Sequence, residues 1–239
     1  LDIADTIKVS IHQFYGIEIN DFAVKVAKTA LWIAEAQMWT ETKKIISSFT
    51  NISDFLPLET YDNIIEGNAL KIDWNEVIPN NKCNYIMGNP PFVGARLMSP
   101  IQKVDVAEIF KSIKNYGNID YVGCWYIKAA NYMKNTSIET ALVSTNSICQ
   151  GEQTTILWKD MLNNGININF AYRTFRWDSE ASLKAHVHCI IIGFSYKLRD
   201  KRVIYDNGKF NKAKNINAYL VDAPNVLIDS RPNPICNVS

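Results

Sequence analysis

The apolar run Tyr85-Ile86-Met87-Gly88 goes straight into Asn89-Pro90-Pro91-Phe92, and that junction constrains the chain more than any other stretch. Two consecutive prolines fix φ and remove two backbone N–H donors, so a strand ending here passes into a stiff loop rich in acceptors. The side-chain carbonyl of Asn89 and the backbone carbonyl of Pro90 form an acceptor pair, and Phe92 offers a face on which a planar ring can stack. Together they make a receptor for an exocyclic –NH2 group on a planar ring. The same residues also read as an ordinary turn, because Asn before Pro commonly starts one. What surrounds them decides between the two.

Gln13 to Ile19 reads as a strand closed by Asn20-Asp21. Asp21 then caps a helix to about Met38, with Phe22, Val26, Ala30, Ile33, Ala34 and Gln37 at helical spacing. Residues 40–63 are polar and irregular, and Ile64-Ile65 leads into the loop Glu66-Gly67-Asn68-Ala69-Leu70. Asn84 to Met87 is a strand, short and apolar as parallel, doubly covered strands tend to be. A polar stretch then reaches Asn118, followed by a helix from about Asp120 to Lys134, a buried strand Thr140–Thr145 and a helix Gln153–Leu162. Ile166–Trp177 and His188–Phe194 look like an antiparallel pair at a sheet edge. The tail after Asn215 carries Pro224, Pro232 and Pro234 and is expected to lie extended. This order predicts an open α/β sheet, mainly parallel with an antiparallel edge hairpin, over residues 1–214, with 215–239 as a tail or linker. Such sheets bind ligands beyond the carboxyl ends of their strands, where each candidate segment falls.

Composition bounds the alternatives. With 239 residues, 47% hydrophobic and 21% charged, the chain has room for one sizeable α/β domain. No apolar stretch reaches membrane-spanning length, and Leu1-Asp2-Ile3-Ala4-Asp5 is not a signal peptide. Without a starting Met, the chain is expected to begin inside a longer polypeptide. Cys83, Cys124, Cys149, Cys189 and Cys236 are scattered with no CxxC spacing, which predicts reduced thiols in a cytoplasmic protein. His186 and His188 share a strand face but lack an acidic or cysteine partner at ligand spacing, so no metal site is expected. Net charge is only +1, yet Lys197, Arg199, Lys201, Arg202, Lys209, Lys212 and Lys214 face only Asp200 and Asp206. A run of this kind contacts phosphates or is simply a solvated loop or hairpin.

Phe14-Tyr15-Gly16-Ile17-Glu18-Ile19, then Glu66-Gly67-Asn68-Ala69-Leu70, then Asn84 through Phe92 resemble, in order, the motifs of S-adenosylmethionine-dependent amino-methyltransferases acting on DNA. Trp125-Tyr126-Ile127-Lys128-Ala129-Ala130, Ser144 through Gln153, and His188 through Phe194 sharpen the resemblance. They point to the methyltransferase module of MmeI-like (type IIG) restriction–modification enzymes, which join nuclease, methylase and target recognition in one polypeptide. The resemblance covers about residues 9–236. It implies a Rossmann-like class I methyltransferase sheet, S-adenosyl-L-methionine as methyl donor, double-stranded DNA as partner and adenine N6 as target. One departure matters: the family's glycine-rich first motif would precede residue 1. The resemblance therefore implies a fragment without that motif and its strand, with nuclease and target-recognition regions lying outside the chain.

It also implies roles. Glu18, at a strand end, would accept hydrogen bonds from both ribose hydroxyls of the cofactor, since a carboxylate offers two acceptors in one plane. An exposed acid is the plain alternative. Ile19 would pack on the cofactor adenine, or be core. Asn68, with Ala69 and Leu70, matches the position bordering that adenine, although a loop Asn also satisfies its own backbone. Asn89 and Pro90 would grip the target amine, Pro91 stiffens the loop, and Phe92 would stack on a flipped base. Phe175 or Trp177 matches the segment that supplies a second aromatic, with a core role as the alternative; Arg173 and Arg176 meet phosphates or merely solvent. Enzymes methylating guanine in ribosomal RNA or glutamine in a protein share the Asn-Pro-Pro-aromatic loop, and a non-catalytic DNA-contacting piece is a further reading.

Overall fold

A computed structural model of the chain describes residues 8–45, 62–177 and 187–229, which fall into two compact units, Leu1–Pro79 and Asn80–Ser239. In the first, the strands β1 (Gly16–Glu18) and β2 (Ile64–Glu66) pair in parallel, with Glu18 opposite Glu66. The helix α1 (Asp21–Ile45) runs beyond its expected end at Met38; residues 46–61 lie outside the described residues. Asn20, not Asp21, caps it. The Asn20 side-chain oxygen accepts from the N–H groups of Phe22 and Ala23 at 2.9 and 3.1 Å, satisfying donors that a first helical turn leaves open. Asp21 is instead the first helical residue, where its charge suits the positive end of the helix and pairs with Lys25 one turn on. Ile11, Val24 and Ile64 form a small core against which Ala27, Leu31 and Trp32 pack. A short α2 (Trp74–Val77), capped by Asp73, follows.

Among the described residues, the second unit is built on six strands: β3 (Tyr85–Gly88), β4 (Glu139–Thr145), β5 (Asn167–Trp177), β6 (Val187–Ser195), β7 (Arg202–Asp206) and β8 (Lys209–Ala213). Their order in the sheet is β3-β4-β6-β5-β7-β8. β3 and β4 are parallel, β6 is antiparallel to both β4 and β5, and β7 is parallel to β5. The carboxyl ends of β3, β4 and β5 therefore share one end of the sheet. The expected β5–β6 pair is antiparallel but lies inside the sheet, because the basic stretch after Lys197 folds into the β7–β8 hairpin and takes the edge. Asn207 and Gly208, at φ 49° and 74°, close that hairpin, the residue pair that a tight twisted turn favours.

Among the described residues, this unit also has the α-helices α3 (Pro100–Ile109), α4 (Gly123–Tyr132) and α5 (Gly151–Asn163). α3 stands in the polar stretch before Asn118, where no helix was expected, started by Pro100 at its first turn and a capping box between Ser99 and Gln102. α4 and α5 pack on one face of the sheet through three buried rings. Tyr126 of α4 stacks on Phe194 of β6 at 5.1 Å, and Trp158 of α5 meets both edge-on at 5.6 and 6.3 Å. Each such ring buries roughly 150–250 Å². The Tyr126 hydroxyl lies 2.6 Å from the Ser144 hydroxyl of β4. The segment after Asn215 does not begin extended: Ile216, Ala218 and Leu220 are buried, and Ile216 bridges to Ile168 and Asp222. From Pro224 to Asp229 it has no regular structure.

Candidate active site

β3 carries Asn89 to the sheet end shared with β4 and β5. Asn89 is exposed, and its amide makes no hydrogen bond to the described residues. Pro90 is buried, Pro91 exposed and Phe92 half-buried, so the loop is anchored at its second residue and open at its first. Behind it lies a polar knot on Asp120, which is 7% exposed. Asp120 Oδ1 accepts from the Ala95 N–H at 3.2 Å and from Gln153 Nε2 at 3.1 Å. Oδ2 accepts from the Thr145 hydroxyl at 3.2 Å, and the Asp120 N–H donates to Gln153 Oε1 at 3.1 Å. Next to it the Tyr121 N–H donates to the Val93 carbonyl at 2.9 Å, while the Tyr121 hydroxyl donates to Asp105 of α3 at 2.7 Å. The sequence marked Asp120 as a helix start, and Thr145 and Gln153 as a strand end and a helix start within the Ser144–Gln153 segment of the resemblance, without joining the three; a polar residue at each of three element termini was the available signal.

Phe175 stands level with the end of β4, since Thr145 pairs with Cys189 and Cys189 with Phe175. Its half-buried ring meets Tyr172 edge-on at 5.5 Å. Three strand spacings separate β5 from β3, about 14 Å, so Phe175 is not an immediate neighbour of β3. Trp177 ends β5 opposite Val187, but its side chain, that of Arg176 and all of 178–186, His186 included, lie outside the described residues. Arg173 is paired with Asp206 at 3.2 Å across β5 and β7, and His188 is exposed. Asn146, after β4, donates to the Thr174 hydroxyl at 2.9 Å.

In the first unit, Glu18 and the loop after β2 occupy neighbouring carboxyl ends. Glu18 Oε1 accepts from the N–H groups of Ile19 and Asn20 at 2.9 and 3.3 Å, which fixes the carboxylate on the strand end. Its Oε2 takes no hydrogen bond from the described residues. The Gly67 N–H donates to the Glu18 carbonyl at 2.8 Å; its φ of +157° and the Ile72 side chain beside it leave no room for a Cβ. Asn68 Oδ1 accepts from the Leu70 N–H at 2.9 Å, so this loop Asn does satisfy its own backbone. The Ala69 carbonyl accepts from Trp74 Nε1 at 2.9 Å, and Leu70 is buried. Ile19, at 70% exposed, is not core.

Cys83, Cys124, Cys149 and Cys189 stand as thiols. Burial, with the nearby Asp105 charge adding to it, pushes Cys124 up to about 12. Burial likewise raises Cys149 and Cys189. Thiols held this high stay protonated at neutral pH and are poor nucleophiles. Among the described residues, no cluster of three or more His, Cys, Asp or Glu could hold a metal ion, and no helix is long and apolar enough to cross a membrane.

Residues 2–206 match the family described as the MmeI DNA-methyltransferase domain. DNA methyltransferase A of Bacillus subtilis (strain 168) is 39% identical over 233 residues, 96% of this chain and 26% of that protein. The solved structure of the type IIL restriction-modification enzyme MmeI in complex with DNA superposes with a TM-score of 0.90 at 44% identity, over 100% of this chain and 32% of that one. The chain thus spans between a quarter and a third of the length of these relatives. The fold is the Rossmann-like methyltransferase fold, and the chain belongs to the MmeI DNA-methyltransferase-domain family.

Proposed function

We propose that this chain is the catalytic core of a site-specific DNA methyltransferase within a restriction–modification enzyme. Its reaction is methyl transfer from S-adenosyl-L-methionine to the N6 amine of an adenine flipped out of double-stranded DNA. The observation that carries this reading is Asn89, exposed at the end of β3 with its amide unspent among the described residues, on a loop anchored by the buried Pro90. The lone pair of an adenine amine is delocalised into the ring, so the nitrogen is a weak nucleophile. Acceptance of its two hydrogens by Asn89 Oδ1 and the Pro90 carbonyl favours a pyramidal nitrogen with its lone pair free for in-line attack. The help is positional and electrostatic, with no strong base required. Pro91 keeps the loop stiff. Stacking on Phe92 offsets part of the flipping cost of a few kcal/mol, returning about 1–3 kcal/mol. Phe175 or Trp177 is the candidate for the other face of the base.

S-adenosyl-L-methionine, when bound, supplies an electrophilic methyl group on sulfur. The residues of the first unit fit its nucleoside end: the open Oε2 of Glu18 suits ribose hydroxyls, and the exposed Ile19 suits a planar base, with Asn68, Ala69 and Leu70 beside them. Similarity to an enzyme solved with DNA supports duplex DNA as the partner. The test is a methyl-transfer assay on the natural full-length protein with tritiated donor, comparing duplex DNA, ribosomal RNA and protein. Label is expected on DNA, recovered as N6-methyladenine after digestion, and lost in Asn89→Ala. Label on cytosine, RNA or glutamine, or full turnover by that variant, overturns the reading.

A further inference from the structure

We infer that Asp120 is a positioning residue for the Asn89–Phe92 loop, an inference that rests on the methyl-transfer role just proposed. The loop has few means of holding itself. Pro90 and Pro91 have no N–H to donate, and the Asn89 amide is unbonded among the described residues. Beyond Phe92, the backbone ties back to the body of the unit at two points: the Val93 carbonyl on the Tyr121 N–H, and the Ala95 N–H on the Asp120 carboxylate. One buried carboxylate then joins four segments, because the same two oxygens also take the Thr145 hydroxyl at the end of β4 and the Gln153 amide in the first turn of α5. Burying a carboxylate is costly unless donors surround it, so each of the three donors helps to hold this arrangement. β4 is also the strand on which β3 lies. The knot therefore sets where the chain can go between the end of β3 and Ala95, and Asn89 to Phe92 occupy that span. In-line transfer is unforgiving of such placement, since a misplacement of about 1 Å can cost on the order of 10²-fold in rate.

Asp120→Ala, Asp120→Asn and Thr145→Val are compared in the full-length protein with tritiated S-adenosyl-L-methionine and unmethylated phage DNA. Melting temperature and hydrogen exchange of peptides covering residues 92–97 are measured alongside. Asp120→Ala is expected to lower kcat roughly 100-fold while the KM for the methyl donor stays within about twofold. Asp120→Asn is expected to recover most of that rate, because its oxygen still serves Ala95 and Gln153 and the Thr145 hydroxyl can turn to accept. Thr145→Val, with one donor removed, falls between them, and its exchange at 92–97 quickens. An unchanged kcat in Asp120→Ala, an Asn variant no better than Ala, or KM rising in step with the loss of kcat overturns the inference. Should Asp120→Ala fail to fold, Thr145→Val decides by the same readings. If the unaltered protein moves no methyl group to DNA, the functional reading falls by itself. Exchange at 92–97 then decides alone: faster in Thr145→Val supports the knot, and unchanged refutes it.

Discussion

Asn89 and Asp120 belong to the same end of the same sheet and use their polar atoms in opposite ways. Asn89 is exposed with its amide unbonded among the described residues, whereas Asp120 is buried and both carboxylate oxygens and its N–H are engaged. Folding satisfies buried polar groups almost without exception, so a spent group such as Asp120 speaks of scaffolding. Asn89 sits on a loop too stiff, and too poor in donors, to satisfy it locally. Under the proposed function, its capacity serves the amine of the flipped base. Glu18 shows an intermediate state, with one oxygen committed to its own backbone and the other open among the described residues.

The largest expected effect breaks the comparison if it fails. Asn89→Ala should lower methyl transfer about 10²–10³-fold, near 2.7–4 kcal/mol, by analogy with loss of one preorganised oxyanion donor. Its melting temperature should not move, and a drop there would mean the Asn89 amide is structural after all. Next, Phe92→Ala should cost about 1–3 kcal/mol of base stacking, read as weaker 2-aminopurine fluorescence when that base replaces the target adenine. Glu18→Ala should weaken S-adenosylhomocysteine binding roughly tenfold by calorimetry, about 1.4 kcal/mol; undiminished binding removes Glu18 from the cofactor site. The last prediction concerns pH dependence. Burial holds the Cys124 thiol up to about 12, so the folded chain keeps a proton that the unfolded chain loses near 8.5. That contribution is complete at neutral pH and declines as pH rises from there towards 12. Urea melts between pH 8 and pH 10.5 should show a shallower decline in Cys124→Ala.

What was legible in the sequence was local. β3 and its Pro-Pro loop stand where the residues put them, although among the described residues β3 is a largely exposed end strand and not the doubly covered one its apolar residues suggested. β1, β2 and the loop on Gly67 likewise stand where the residues put them. α3 was legible too, in Ser99, Pro100 and Gln102, but the polar stretch around it hid the capping signal. At the start of α1 two adjacent acceptors, Asn20 and Asp21, compete for one role, and sequence cannot rank them. The placing of β7 beside β5 depends on pairing residues 33 apart, such as Tyr172 with Tyr205, which no local pattern encodes. The Asp120 knot is invisible for the same reason: its partners lie 25 and 33 residues away and meet only after the sheet has formed.

The β7–β8 hairpin has a consequence of its own. A sheet that ends in an unpaired strand invites another chain to add to it, and charge along the rim is the usual deterrent. β8 is almost entirely exposed and carries Lys209 and Lys212, so the boundary strand repels a second copy presenting the same rim. Lys209 and Lys212 thus set positive charge along that rim, the kind of feature that discourages edge-to-edge pairing.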